Sequence, residues 1–178
     1  LDGILYDKLQ TSIIYVPKKI EGEIRIPDGV TVIEEDTFYW REKLIKVIFG
    51  KDSNLIEIGA GAFEYCRSLT SINLPNSVKS IGVLAFASCA LTSIELPSKL
   101  KTIHSTSFNY CDNLTKITVP TIALSSFRGS SPANNYINNV KELTINGGKV
   151  ISENNFKSFI YGFYGNLSRL EILNGVEK

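Results

Sequence analysis

The sequence predicts an α/β repeat fold: a strand-rich solenoid whose right-handed coils form a parallel sheet on the concave side and short helical turns or loops on the convex side. One phenylalanine per coil recurs with spacings of 25, 23 and 22 residues, at Phe38, Phe63, Phe86 and Phe108. Five or six residues after each phenylalanine an L-x-x-I-x-hydrophobic run begins, with valine replacing isoleucine in the first run. A repeat of this length and pattern predicts stacked coils that share one continuous core.

The period and the strand signature are those of leucine-rich repeats, which recur about every 20 to 29 residues. One such coil cannot bury its apolar face alone, so neighbouring coils must stack. The pattern predicts a single domain over residues 1–178, with about seven coils in residues 21–178, the last of them truncated. The strand centres are predicted to form one parallel sheet in register: Ile24, Val47, Ile72, Ile94, Ile117, Leu143 and Leu170.

Each strand is predicted to turn its central residue, and the residue two positions later, toward the core, because side chains alternate across a strand. Proline has no N–H to donate, and it ends the strand in four coils, at Pro27, Pro75, Pro97 and Pro120. The segment that returns the chain carries small residues and the repeat phenylalanine. We expect this phenylalanine to be buried beneath the sheet in five coils, at Phe38, Phe63, Phe86, Phe108 and Phe156.

Three segments depart from the repeat. Residues 1–20 contain two short β-prone runs, 4–6 and 13–16, around a polar turn, and predict an N-terminal hairpin. Residues 128–139 are rich in residues that favour turns and predict an inserted polar loop. Apolar residues at i, i+3, i+4 and i+7 within 156–163 predict a short amphipathic helix, and we expect its aromatic cluster to pack in the core rather than line a ligand pocket.

The chain begins at Leu1 without methionine, and its end resembles the start of another coil. We therefore expect a piece of a longer protein, with any signal peptide or anchor outside it. Leu170, Ile172 and Val176 of the last coil would then lack a stacking neighbour. This predicts weak self-association through the C-terminal end, unless the 156–163 segment covers it.

Composition limits the functions to consider. The net charge is +1, with 43% apolar and 21% charged residues. The sequence therefore lacks the basic excess that is typical of nucleic-acid binding. No apolar run is long enough to span a membrane. Nothing in the sequence indicates a cofactor.

His104 is the only histidine, so a Ser-His-Asp or Cys-His device would have to centre on it. It lies in a turn where the equivalent residues of other coils are Gly59 and Gly82. We therefore expect an exposed surface histidine and no enzyme.

Three cysteines lie three residues after a repeat phenylalanine and should stack inside the coils: Cys66, Cys89 and Cys111. With no partnering histidine nearby in the repeat, they would make an unusual zinc site. Buried, reduced thiols are expected, because free cysteine behaves as a small apolar residue. A disulfide between adjacent coils is geometrically conceivable, and it would leave the third cysteine over.

Two rows of side chains are candidate protein-binding surfaces. The outward row of the sheet carries four positive and four negative residues, and its candidates are Lys46, Ser71, Asn73, Ser93, Glu95, Lys116, Thr118, Glu142 and Thr144. This balance is also typical of a solvated face. A second row lies two residues after each phenylalanine and comprises Trp40, Tyr65, Ser88 and Tyr110. Aromatic residues are enriched in interfaces, although a ladder stacked for stability fits the second row equally well.

Three blocks of sequence resemble the BspA-like leucine-rich repeats: Ile-Pro-x-x-Val-x-x-Ile at 26–33, Ala-Phe-x-x-Cys-x-x-Leu at 62–69, and Asp-Gly-Ile-Leu-Tyr-Asp at 2–7 with Tyr15-Val16-Pro17. The resemblance implies an extracellular or cell-surface protein of a host-associated bacterium or a parasitic protist. It further implies a non-enzymatic, adhesin-like module that binds a host or microbial surface or matrix protein. Two alternatives stay open: a structural stalk without its own ligand, and an accessory domain of a larger surface protein.

Overall fold

The computed structural model describes residues 3–124, 139–147 and 167–173 of the chain. Nearly all regular structure in this part is β-strand, and a short 3-10 helix, Thr121–Ala123, follows one strand end. The strands are β1 (Leu5–Tyr6), β2 (Ile13–Tyr15), β3 (Gly22–Ile26), β4 (Val32–Ile33), β5 (Leu44–Phe49), β6 (Glu57–Ile58), β7 (Ser71–Ile72), β8 (Ser80–Ile81), β9 (Ser93–Glu95), β10 (Thr102–Ile103), β11 (Lys116–Pro120), β12 (Glu142–Asn146) and β13 (Arg169–Leu173).

The strands predicted from the L-x-x-I runs are β3, β5, β7, β9, β11, β12 and β13, and all seven predicted centres lie in them. Parallel pairing places Val47 beside both Ile24 and Ile72. A second run of parallel pairs joins Ile94, Ile117, Leu143 and Leu170. The predicted register is therefore confirmed. We call the outward side of these seven strands the long-strand face.

The prediction of one continuous sheet is wrong, because the ladder is interrupted between β7 and β9. β7 has only two residues and is followed closely by Pro75, which has no N–H to donate. The two coils still meet through a hydrogen bond from the Thr92 N–H to the Thr70 carbonyl, at 3.2 Å. The strands thus form a three-stranded and a four-stranded sheet, one following the other along the stack.

A second parallel sheet, which was not predicted from the sequence, consists of β4, β6, β8 and β10. Each of these strands has two residues and contributes one buried isoleucine, paired in register with the next: Ile33, Ile58, Ile81 and Ile103. The isoleucines recur at the same spacings as the phenylalanines. Each middle coil therefore has two strands and one turn segment around the core.

The turn segments stack through their phenylalanines. Consecutive rings of Phe38, Phe63, Phe86 and Phe108 lie 5.0, 5.3 and 5.6 Å apart between centroids and are nearly parallel. The N–H groups of Phe38, Phe63 and Phe86 each donate to a carbonyl of the next coil at 2.8 Å. The four rings are at most 1% exposed, so the predicted burial is confirmed for them. Turns, not helices, carry these residues.

The N-terminal segment forms the expected hairpin, in which β1 and β2 pair antiparallel. Its turn is held by Asp7, whose carboxylate accepts hydrogen bonds from the N–H groups of Thr11 and Ser12 at 2.6 and 2.9 Å. These hydrogen bonds lower the pKa of the Asp7 carboxyl, and the bond from Ser12 has the largest effect. Arg41 ties the hairpin to the coils, because its guanidinium donates to the Val16 carbonyl at 2.9 Å.

At the other end, β13 pairs with β12 along its whole length. Leu170 and Ile172 nevertheless remain 42% and 40% exposed, while their counterparts Leu143 and Ile145 in β12 are buried. Phe156, Val176, the predicted 156–163 helix and nearly all of the predicted 128–139 loop lie outside the described residues. Among the residues that are described, no helix has the length and hydrophobicity needed to cross a membrane.

The phenylalanine stack makes a stability prediction. Phe86→Ala should lower the free energy of unfolding by about 3 to 5 kcal/mol, because it opens a cavity between two stacked rings. Ser88→Ala, two residues away on the surface of the same turn, should change it little. Thermal and urea melts of both variants measure the difference, and equal effects would contradict the assigned register.

Candidate functional site

The structure places the outward candidates of the strands on the long-strand face, in register. Lys46 lies beside Ser71, and Ser93, Lys116 and Glu142 form one continuous line across three strands. Glu95, Thr118 and Thr144 form the next line. Asn73 follows β7 and is exposed.

Much of the charge on the long-strand face is paired within the face. The Lys46 ammonium lies 3.7 Å from the Glu23 carboxylate on the neighbouring strand, and that of Lys116 lies 3.5 Å from Glu142. Arg169 also pairs with Glu171. Such exposed pairs contribute little to stability, about 0 to 1 kcal/mol each. They do neutralise the cations and anions that a partner would otherwise meet.

The prediction that Thr144 is open to a partner is wrong, because this residue is buried at 9% exposure. It occupies a central strand, flanked in register by Thr118 on one side and Glu171 on the other. Thr118 and Glu142 are half-buried for a similar reason. The accessible part of the face is therefore smaller than the sequence predicted.

Trp40, Tyr65 and Tyr110, which we call the aromatic row, lie along the turn segments. Trp40 and Tyr110 are 49% and 51% exposed, and Tyr65 is half-buried. The Trp40 and Tyr65 rings are 4.6 Å apart between centroids, and Tyr39 meets Tyr65 edge-on at 5.8 Å. The row thus combines ring-to-ring contact with a large exposed aromatic surface.

Arg67 belongs to this surface, although the sequence analysis did not single it out. Its guanidinium lies 5.5 Å from the Tyr65 ring centroid and 5.8 Å from that of Trp40. It also lies 3.5 Å from the Glu42 carboxylate of the preceding coil. The only signal in the sequence was position, since Glu42 and Arg67 each follow a repeat phenylalanine by four residues.

The backbone beneath the row is left-handed, a conformation uncommon for residues other than glycine. Trp40, Tyr65 and Tyr110 have φ of 59°, and Ser88 has φ of 57°. The N–H groups of Trp40, Tyr65 and Ser88 donate to carbonyls of the next coil at 2.8 to 2.9 Å. These bonds fix the backbone from which the side chains of Trp40, Tyr65 and Ser88 project.

Acidic groups lie close to the N-terminal part of the row. Burial, and then the negative charge of Asp36, raise the pKa of Glu64. Burial and the charge of Glu64 together raise the pKa of Tyr39. Near Trp40 and Tyr65, these acidic groups therefore lie on the same surface as the Arg67 guanidinium.

Two cavities flank the row. One, of about 450 Å³, lies between Tyr65 and Tyr110, and its lining includes Arg67, Ser88, Ala90 and Asp112. The other, of about 480 Å³, lies beside Trp40 and is lined by Lys18, Lys19, Ile20, Glu21, Glu42 and Lys43. The row thus has a depression beside Trp40 and another between its two tyrosines.

The three cysteines form a buried ladder of free thiols. Those of Cys66, Cys89 and Cys111 donate to the carbonyls of Phe38, Phe63 and Phe86 at 3.2, 3.1 and 3.0 Å. Burial raises the pKa of Cys89 well above its usual value and that of Cys111 to about 12. The expected reduced state is confirmed, and the alternative of a disulfide between adjacent coils is wrong.

The structure describes His104 and the arrangement of the acidic, histidine and cysteine side chains. His104 is exposed as predicted, and its Nδ1 lies 2.9 Å from the Thr106 hydroxyl in the same turn. Within residues 3–124, 139–147 and 167–173, no cluster of three or more His, Cys, Asp or Glu side chains could hold a metal ion.

Comparison with protein families decides the identity of the repeat. The profile of the BspA type leucine rich repeat region matches six copies within residues 31–161. The chain belongs to this BspA-type family. Comparison with curated proteins gave no match.

Solved structures confirm the leucine-rich repeat solenoid fold. A leucine rich cell surface protein from Faecalibacterium prausnitzii superposes with a TM-score of 0.71 at 24% identity, over 94% of this chain and 42% of that one. The pneumococcal vaccine antigen PcpA gives a TM-score of 0.71 at 24% identity, over 100% and 47%. The Treponema pallidum leucine rich repeat protein TpLRR gives 0.65 at 22% identity, over 90% and 75%. The chain thus spans less than half the length of the first two.

The cysteine ladder predicts the reactivity of the thiols. In native protein, Ellman's reagent should label none of the three cysteines, because the thiolate is the reactive form and burial disfavours it. Denaturant should expose three thiols. A Thr102→Cys variant, with the new thiol on an exposed strand residue, should react at once and serves as the positive control. Rapid labelling of the native wild type would contradict the buried ladder.

Proposed function

We propose that this BspA-type solenoid is an exported, adhesin-like module that binds a host or microbial surface or matrix protein through the aromatic row. The observation that carries the proposal is the alignment of Trp40, Tyr65 and Tyr110 on one side of the stack, with two of the three rings about half exposed. Tryptophan and tyrosine are over-represented among residues that dominate binding energy at protein interfaces. They offer a large, rigid contact area at small entropic cost.

The aromatic row is favoured over the long-strand face for two reasons. Lys46 and Lys116 on the long-strand face already have carboxylate partners, and Thr144 is buried. The aromatic row instead lies beside two cavities, so a partner can insert side chains on either side of a ring. Aromatic side chains beside such depressions can become hot spots when a partner covers them and excludes water.

An extracellular location is supported by the family and by what is known of the similar structures. One of them is described as a cell surface protein and another as a vaccine antigen. A leucine-rich repeat solenoid is an interaction scaffold and not typically an enzyme. Since the net charge is +1, no long-range field steers an anionic polymer to the surface. Binding should therefore depend weakly on salt.

The proposal is tested with two sets of substitutions. Purified matrix proteins are coated on a surface, and retention of wild type is compared with a Trp40, Tyr65 and Tyr110 triple alanine variant and with a Lys46, Asn73, Glu95 and Lys116 quadruple alanine variant. Loss of a true hot spot costs about 2 kcal/mol or more, so the triple variant should lose retention. The quadruple variant should keep most of it.

Melting curves establish that both variants are folded before retention is compared. Retention lost only in the quadruple variant would move the site to the long-strand face. Failure of folded wild type to bind any matrix or cell-surface protein would favour a stalk or an accessory domain.

We also propose weak self-association through the C-terminal end. Three apolar side chains of β13 are between 40% and 45% exposed: Leu170, Ile172 and Leu173. Clustered apolar side chains of this kind favour association, because contact with a second chain removes them from water.

Sedimentation velocity at increasing protein concentration measures this association. The weight-average sedimentation coefficient should rise for wild type and stay constant when Leu170 and Ile172 are both replaced by lysine. Ile14→Lys, at an exposed apolar residue of the N-terminal hairpin, is the matched control and should behave as wild type. A wild type that is monomeric at every concentration would contradict the proposal.

A further inference from the structure

The cavity between Tyr65 and Tyr110 arises from one coil with two small side chains. Two positions per coil reach this surface, two and four residues after the repeat phenylalanine. In the coil of Phe86 these are Ser88 and Ala90, whereas the adjacent coils carry Tyr65 with Arg67 and Tyr110 with Asp112. The result is a notch, one coil wide, with large side chains on both walls.

The width of the notch limits what can enter. Its walls are two coil spacings apart, and successive phenylalanine rings beneath it are separated by 5.3 and 5.6 Å. An α-helix with side chains is about 10 to 12 Å wide and would not fit between the wall side chains. A single ring-sized group fits, and the volume of about 450 Å³ is ample for one.

The charges of the two walls select the chemistry of that group. Arg67 stands on one wall and is paired with Glu42 at 3.5 Å, while Asp112 stands on the other. An anion would be repelled by Asp112. The Arg67 charge is balanced by Glu42, but its remaining N–H donors need an acceptor, which an ammonium group does not offer. A neutral group that bears both donors and acceptors satisfies both walls, since a carboxylate only accepts and a guanidinium only donates.

The two tyrosines of the walls also require the ligand to present an apolar surface. An aromatic ring presents an apolar body and packs against flat C–H surfaces. At the floor of the notch, the Ser88 N–H is not available to a ligand, because it already donates to the Asn109 carbonyl at 2.8 Å. Arg67 is held in place over the Tyr65 ring, so this wall is formed before a ligand arrives.

From these features we infer that the notch binds one neutral pyranose unit of a glycan. Its ring faces pack on Tyr65 and Tyr110, and its hydroxyl groups donate to Asp112 and accept from Arg67. The inference shares its surface with the proposed adhesin function, but the sugar itself is the ligand. The glycan can belong to a polysaccharide or to a glycoprotein.

The test begins with an array of immobilised glycans that includes neutral, sialylated and sulfated members. Wild type should bind neutral hexose or N-acetylhexosamine glycans. Ser88→Tyr should weaken this binding at least about tenfold by filling the notch. The variant should fold, because Tyr65 and Tyr110 hold the same left-handed conformation at the equivalent positions. Asp112→Asn should also weaken binding, and Lys79→Gln, at an exposed residue outside the notch, should not.

Two results would overturn the inference: absence of neutral-glycan binding by folded wild type, or binding unchanged by Ser88→Tyr. Preference for sialylated or sulfated glycans would overturn it as well. Free oligosaccharide and an enzymatically deglycosylated matrix protein separate the two sources of the sugar. If the deglycosylated protein is still retained by Ser88→Tyr, the adhesin proposal stands and the notch is not its site. If glycans bind but no protein is retained, the glycan inference is supported and the adhesin proposal is not.

Discussion

The stacking of one phenylalanine ring on the next, from Phe38 to Phe108, repeats at the same distance as the coil-to-coil hydrogen bonds around it. Centroids of successive rings lie 5.0 to 5.6 Å apart, close to the spacing of paired β-strands. Hydrogen bonds between strands, between turns and from buried thiols to carbonyls can then all form at once. Since each coil satisfies its polar groups through its neighbour, no coil is stable alone.

This spacing also organises the surface. Side chains that are more than 20 residues apart in sequence become direct neighbours, as Glu23 and Lys46 or Trp40 and Tyr65 do. The two faces differ in which side chains occupy these neighbouring positions. On the long-strand face, neighbouring positions carry opposite charges that neutralise each other. Along the turns, neighbouring positions carry rings, and the one coil with small residues leaves an opening.

The sequence predicted the register because an apolar residue recurs at each strand centre with nearly the same period as the core phenylalanines. Both sets of residues must be buried, so their spacing is constrained. It missed the second sheet because two-residue strands such as Val32–Ile33 are too short for an alternating pattern. The break after Ile72 and the burial of Thr144 depend on strand length and on neighbours from distant coils, which a single run of residues does not reveal. The aromatic row was identified from its spacing. Arg67 was not, because charged residues four positions after the repeat phenylalanine are also typical of a solvated surface, and the contacts of Arg67 with two rings and Glu42 are visible only in the fold.

The left-handed turns have a consequence for how this surface evolves. Glycine occupies such a conformation freely, whereas a residue with a Cβ is disfavoured by about 1 to 2 kcal/mol. The chain nevertheless holds tryptophan, tyrosine and serine there, outside the buried core. Contacts within the chain offset part of this cost, since the Trp40 and Tyr65 rings lie 4.6 Å apart between centroids. The hydrogen bonds of these turns to the next coil use backbone N–H groups, so the outward side chain can be exchanged for another without disturbing the stack beneath.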